Sequence, residues 1–408
     1  MTSYRNSDPR PPIMAGSPVP PEWRVPFADW DRPPWNRWSF QHIRELLPTV
    51  EVSRGAGPAS ALPEAHRDIA GIEFDARDGS RMTVAQMLDA TYTDGFIVVR
   101  AGKVVHESYF NGMTPKTLHL SQSVAKSVTA TVAGVLIGRG LMDPQAPVTD
   151  YLPELEKTAW KGATLRHVLD MTSGVAFDEE YTSPTSDIGL TDVGAGWKPI
   201  PDDAPPGFDW PACIWDQILR LTVQEAEHGS RFKYRSIETD VLAHCMERVA
   251  GKRLAALVSE ELWAPMGADE TACFTVDRAG YALADGGFNA CLRDYARVGL
   301  LYLNGGEGNG RRIVPAEWVA DVRRGAHGLS NDDSRETLPN GRYRNQFWIE
   351  DVSREAIMAR GVFGQLIHVL PEHDMVVAKL STWPDFLNSG FAIDTSRAIH
   401  AIADALAR

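Results

Sequence analysis

The chain has 408 residues, 43% of them hydrophobic and 23% charged, with a formal net charge of -13. That is length and apolar content enough for one large domain with an insertion, or for two domains. The acidic balance argues against nucleic acid and anionic membrane surfaces, which both need a surplus of Lys and Arg, and leaves small molecules or other proteins as partners.

Residues 1 to 36 interleave prolines with Trp23, Phe27, Trp30 and Trp35. This predicts an extended arm pinned to the body by its aromatic rings, with roughly the first fifteen residues loose. Two β-rich runs, 96 to 100 and 104 to 110, flank Ala101-Gly102-Lys103 and predict a hairpin. Val124, Val128, Val132, Val135 and Leu136 then recur at helical spacing until Gly138 and Gly140 end the pattern. A turn-rich connection leads to a short helix over about 165 to 171. Residues 175 to 215 are rich in Asp, Gly and Pro, the composition of a wall or lid over a site. Helical patterns cover 240 to 263 and 289 to 303, and the glycine cluster 305 to 310 reads as a turn. Strand-like runs at 365 to 370 and 375 to 380 precede a last helix over 394 to 406. Strands toward both ends and helices between them predict one α/β body split by a helical insertion.

Cys213, Cys245, Cys273 and Cys291 form no CxxC pair and no metal-ligand spacing, the first residues lack a signal-peptide pattern, and no run of about 18 apolar residues occurs. A cytoplasmic protein is expected. No HExxH or GxSxG occurs, and no metal or cofactor is expected.

The chemistry points to "LSQSVAKS", residues 120 to 127. Ser123 and Lys126 are three apart at the first turn of the expected helix, so their side chains share one face. A serine hydroxyl attacks poorly unless a base takes its proton, and a lysine can be that base if burial and the positive helix end lower its pKa. The Ser123 N–H also offers one oxyanion donor. SxxK alone is a weak signal: Ser230-Arg231-Phe232-Lys233 matches it too, and opens no apolar helix.

Tyr234-Arg235-Ser236 follows that second match directly. The ordered set resembles the serine β-lactamase and penicillin-binding-protein superfamily, with its SxxK, Tyr-x-Asn or Tyr-x-Ser, and Lys-Thr-Gly motifs. Within it the chain is most similar to the class C-like nylon-oligomer (6-aminohexanoate-dimer) hydrolases. "PPWNRWSF" (33 to 40), "GAGWK" (194 to 198), "YRSIETDVLA" (234 to 243), "ADGGF" (284 to 288), "RDYARVG" (293 to 299) and "VVAKLSTWPD" (376 to 385) carry that likeness, which runs from about Pro33 to the end. "GLMDPQAPVTDYLPEL" (140 to 155) and "TLRHVLDMTSGV" (164 to 175) fit the wider superfamily.

The resemblance implies an α/β (α+β) fold, an antiparallel sheet flanked by helices with an inserted, mostly helical subdomain. The boundaries expected are an arm at 1–36, a catalytic body at 37–150 and 270–408, and an insertion at 151–269. It also implies Ser123 as nucleophile, Lys126 as its base and Tyr234 as the group that passes a proton to the leaving atom. Val362 N–H would join that of Ser123 in the oxyanion hole, while Phe177, Trp197, Ser236, Asp285 and Gly361 would face substrate. A homodimer is the implied assembly. At the Lys-Thr-Gly place stands Ala359-Arg360-Gly361, so the lysine that anchors a β-lactam carboxylate is missing.

The expected activity is cofactor-free hydrolysis of small carboxylic esters or linear amides through an acyl-enzyme. A β-lactamase or D-stereospecific peptidase, and a catalytically silent binding protein on the same fold, are the rivals. Counted without a gap from "VLDM" to "GAGW", Phe177 stands where the resemblance to the nylon-oligomer hydrolases implies a tyrosine whose hydroxyl contacts the substrate amide nitrogen, which tilts the expectation toward esters. The alternative is that Tyr181 or a nearby group makes that contact.

Overall fold

The structure is a computed structural model that describes residues 2–325 and 335–407. Seven strands form one antiparallel sheet in the order Arg342–Arg344, Phe347–Asp351, Ala356–Gly361, Gln365–Leu370, Met375–Ser381, Thr93–Arg100 and Lys103–Tyr109. The early hairpin therefore completes a sheet begun by the last third of the chain, with Val377 opposite Val98. Its turn, Ala101-Gly102, has positive φ at both residues (49° and 69°), the hand that matches strand twist.

Both faces of this sheet are covered, which is why its inner strands read as unbroken apolar runs rather than alternating ones. Phe96, Val98 and Val377 meet Ile399 and Ile402 of the C-terminal helix Ser389–Ala407. Ile97, Val99 and Val376 point the other way, into the main core shared with the helices Val124–Gly138 and Leu292–Leu303. A second, four-stranded sheet of short strands orders Thr49–Val52, Ala272–Thr275, Phe288–Ala290 and His119–Leu120. No sequence pattern announced it. Its last strand delivers the chain to Ser123.

Between Val148–Tyr151 and Ala264–Met266 the regular elements described are all helical. The pattern at 240 to 263 is not one helix: Ile237–Ala250 ends on Gly251, whose left-handed backbone (φ 63°) is the usual helix stop, and Leu254–Val258 starts anew. The 175 to 215 stretch contains a helix, Asp187–Gly194, capped by the Ser186 hydroxyl. The glycine cluster carries a minimal strand pair, Glu307–Gly308 with Arg311–Arg312.

The arm departs from expectation at both ends. Its first fifteen residues are not loose, because Tyr4 and Ile13 are buried against Trp35 and Trp38, and Asn6 Nδ2 donates to the Thr93 carbonyl at 2.8 Å. Phe27 is exposed rather than pinned, while Trp30 is wholly buried. Behind the arm, Arg37 and Asp94 form a buried ion pair at 2.6 Å, and Asp94 also meets His119 Nε2 at 3.1 Å, which braces the strand before the nucleophile. All four cysteines are free, and among the described residues no helix is long and apolar enough to cross a membrane.

Candidate active site

The His119–Leu120 strand is tied down by Leu120 N–H on the Phe40 carbonyl and Ser121 N–H on the Phe288 carbonyl, both 2.8 Å. Gln122 then takes a left-handed backbone (φ 49°), uncommon for a residue with a side chain. This sharp turn sets Ser123 at the cap of the Val124–Gly138 helix, on the wall of a cleft of about 640 Å³. The helix itself is buried on nearly every side, so the first turn has little freedom to move.

Lys126 is 1% exposed, and its Nζ donates to Ser123 Oγ at 2.9 Å and to the Asp285 carbonyl at 2.7 Å. The Asp285 carboxylate is 3.9 Å away. Tyr234 stands beside Ser123 and Lys126, with Lys126 Nζ 5.2 Å from its ring centre, and the ring stacks on Trp348 at 5.5 Å and 18°. The neighbouring Arg235 fixes this irregular segment: fully buried, it donates to the Val175 carbonyl at 2.6 Å and the Lys233 carbonyl at 2.9 Å and pairs with Glu225 at 2.8 Å.

The electrostatics reverse one expectation. Burial does push the Lys126 pKa down, but the charges of Tyr234, Asp285 and Glu179 outweigh it and hold the pKa above the ordinary lysine value. Burial also raises Tyr234 against the pull of Lys126, so the resting pair is an ammonium beside a neutral phenol. Burial likewise raises the carboxyls of Glu179 and Asp285, and lifts Asp240 well above its usual range. One Asp240 oxygen accepts from Ala284 N–H at 2.9 Å, and the other is buried with no hydrogen-bond partner.

The opposite wall is the end of the Ala356–Gly361 strand. A side chain at Gly361 would place its Cβ 2.5 Å from the Ser121 carbonyl, so only glycine lets this strand close on the nucleophile turn. Val362 follows at the cleft surface. Arg360 also lines the cleft, with its guanidinium 5.5 Å from the Trp348 ring and 3.3 Å from Thr337 Oγ1, and burial lowers its pKa to about 10.

Residues 80–401 match the family model described as Beta-lactamase. The chain belongs to the β-lactamase family. It is 37% identical over 402 residues to the 6-aminohexanoate-dimer hydrolase of Paenarthrobacter ureafaciens, covering 96% of this chain and 97% of that one. The solved structure of a Bacillus anthracis protein assigned as a 6-aminohexanoate-dimer hydrolase superposes with a TM-score of 0.85 at 28% identity, covering 95% of this chain and 99% of that chain. Over 164 residues, 38% of each chain, it is also 30% identical to Esterase EstB of Burkholderia gladioli. This member of the β-lactamase family is accordingly a serine hydrolase.

On that β-lactamase-family frame Ser123, Tyr234, Gly361 and Val362 line the cleft, while Lys126 and Asp285 lie buried behind Ser123 rather than facing the cleft. The structure does not bring all the expected substrate contacts to the cleft. Phe177 is 2% exposed in the main core and does not line the cleft, whereas Tyr181 does, with its hydroxyl on Glu179 Oε1 at 2.8 Å. The tilt toward esters inferred from Phe177 therefore loses its basis. Trp197 is buried edge-on against Trp30 at 5.2 Å, with Nε1 on Thr275 Oγ1 at 2.9 Å, which is an anchoring role. Ser236 is buried and gives both its N–H and its hydroxyl to Glu179, one contact removed from the cleft. The second SxxK match is inert in this respect: Ser230 caps a turn at the Glu227 carbonyl, and Lys233 pairs with Glu225. Sequence reading missed Glu179 and Asp240. The only trace of the first was the acidic "DEEY" run in an irregular segment.

Proposed function

We propose that the chain hydrolyses small carboxylic esters and linear amides, in the manner of 6-aminohexanoate-dimer hydrolases, through an acyl-enzyme on Ser123. The contact that carries this reading is Lys126 Nζ on Ser123 Oγ at 2.9 Å, at the wall of the cleft and beside Tyr234. Once Lys126 has shed its resting proton, it takes the Ser123 hydroxyl proton as Oγ bonds to the substrate carbonyl carbon. The N–H groups of Ser123 and Val362 hold the developing oxyanion. Tyr234 gives a proton to the departing oxygen or nitrogen as its bond to carbon breaks, and is re-protonated from Lys126. Water then adds to the acyl carbon with its proton taken back through Tyr234, and Ser123 leaves with a proton.

The reading over a β-lactamase is supported by the missing Lys-Thr-Gly lysine, since Ala359 and Arg360 precede Gly361. A bound substrate with an anionic end also has a counter-charge in Arg360, which has no ion pair among the described residues. The division into arm, body and 151–269 insertion, a homodimeric assembly and a cytoplasmic location complete the proposal. Limited proteolysis, light scattering and cell fractionation check them.

The deciding experiment is acylation itself. A fluorophosphonate should add one mass equivalent on Ser123, and p-nitrophenyl acetate should give a burst of one equivalent before steady turnover. If Ser123→Ala keeps a substantial part of the parent rate with its fold intact, the reading is wrong.

A further inference from the structure

The sequence shows no metal-ligand spacing, yet the fold brings Glu350, His368 and His400 together from three elements, the strands Phe347–Asp351 and Gln365–Leu370 and the C-terminal helix. One ligand atom from each lies within 4.8 Å of the others. His368 Nε2 is 3.1 Å from one Glu350 oxygen and His400 Nε2 is 2.9 Å from the other. The two rings stand edge-on at 5.8 Å and 87°, and both Nε2 atoms converge on the carboxylate, whose oxygens accept from them until an ion takes the place of those protons. We propose that Glu350, His368 and His400 form a binding site for a divalent cation of the zinc class, at the rear wall of the substrate cleft.

Chemistry favours this class of ion. Two imidazoles and one carboxylate suit zinc and its neighbours, whereas calcium or magnesium would want oxygen donors throughout. Around a tetrahedral ion with ligands at about 2.0 Å, the donor atoms lie about 3.3 Å apart. The two imidazoles meet different oxygens of Glu350, so for either oxygen one separation is already close to that and the others, within 4.8 Å, must shorten. The Ser396 hydroxyl donates to Glu350 Oε1 at 3.1 Å and steadies it from the second layer.

Placement gives the ion an effect and a limit. Ser396 sits one helical turn before His400 and also lines the far end of the cleft, while His368 pairs in register with Met358, another cleft residue. An ion there joins the C-terminal helix to two strands of the sheet, so it adds stability without touching Ser123. Its affinity is modest, because the buried His368 Nδ1 has no hydrogen-bond partner. Acceptors at that nitrogen are worth about 10- to 100-fold in affinity. Binding in the micromolar rather than the nanomolar range follows.

The test uses the full chain, stripped with a chelator and titrated with Zn²⁺ by calorimetry, with thermal unfolding in parallel. One saturable equivalent and a rise of a few degrees in Tm at a large excess of Zn²⁺ are expected. Co²⁺ in place of Zn²⁺ should give the visible absorption of a low-coordinate imidazole site. His400→Gln and Glu350→Gln should each lose binding at least tenfold, and the exposed His66→Gln should not. No saturable binding to the folded wild type, or equal binding by His400→Gln and Glu350→Gln, overturns the proposal. Hydrolysis of p-nitrophenyl acetate should be unmoved by Zn²⁺, so failure here leaves the reading of Ser123 standing.

Discussion

Lys126 holds its Nζ 2.9 Å from Ser123 Oγ while the Asp285 carboxylate stands 3.9 Å from the same nitrogen. The residue meant to act as a base is thus stabilised as an ammonium by a neighbour that has no part in bond making. Attraction to a carboxylate favours the charged lysine, so its removal must lower the Lys126 pKa and enlarge the neutral fraction at any given pH. The rate constant kcat/KM on a p-nitrophenyl ester is expected to rise with pH into the alkaline range. In Asp285→Asn that rising limb should move to lower pH. A profile that keeps its position would show that Asp285 does not control the base.

Tyr234 separates acid help from acylation. Tyr234→Phe keeps the ring that stacks on Trp348 at 5.5 Å and removes only the hydroxyl, so the melting temperature should hardly change. Turnover of alkyl esters and amides, whose leaving groups need a proton, should fall by about 10²- to 10⁴-fold. Turnover of p-nitrophenyl esters, whose leaving group departs as a stable anion, should fall less. Equal losses on both would assign the tyrosine to positioning rather than proton transfer.

Gly361→Ala tests the close approach of the two walls. Its Cβ would meet the Ser121 carbonyl at 2.5 Å, and since that atom is backbone it cannot turn away. The strand end or the nucleophile turn must shift by several tenths of an ångström, enough to misplace Val362 N–H against an oxyanion. Crippled kcat in a folded protein is expected, by about 10²-fold or more. Parent-like kinetics would mean that the oxyanion donors lie elsewhere.

How much of this was legible beforehand follows from which residues signal locally. Ser123 and Lys126 sit on one helix, so three-residue spacing and the apolar run behind them were visible together. The strands at 365 to 370 and 375 to 380 were likewise carried by local composition. Phe347–Asp351 and the four-stranded sheet were not, because their strands are short and gain their stability from partners far away, as His119 does from Ala290. The looseness assigned to the first fifteen residues failed for the same reason: Tyr4 and Asn6 find their partners at Asn111 and Thr93. The direction of the Lys126 pKa was hidden too, since Glu179 and Asp285 are distant in sequence and buried only by the fold.

Phe177 and Tyr181 show that misreading at its sharpest, and together they make the last test. Four residues apart in an irregular segment, they exchange places between sequence and structure, with Phe177 in the core and Tyr181 on the cleft. The Tyr181 hydroxyl rests on Glu179 at 2.8 Å, and the same carboxylate holds the start of the Ile237–Ala250 helix through Ser236. A hydroxyl so placed can accept from or orient an amide nitrogen, which matters more for amides than for esters because the nitrogen must be positioned before it is protonated. Tyr181→Phe should therefore lower kcat/KM for an amide more than for the ester of the same acyl group, by about one hydrogen bond, or several-fold. Phe177→Tyr should do the opposite of gaining function. It buries a hydroxyl without a partner at a cost of about 1–3 kcal/mol, lowering Tm while leaving the ester-to-amide ratio where it was. Should the ratio follow Phe177 and ignore Tyr181, the contact with the scissile nitrogen has been placed on the wrong residue.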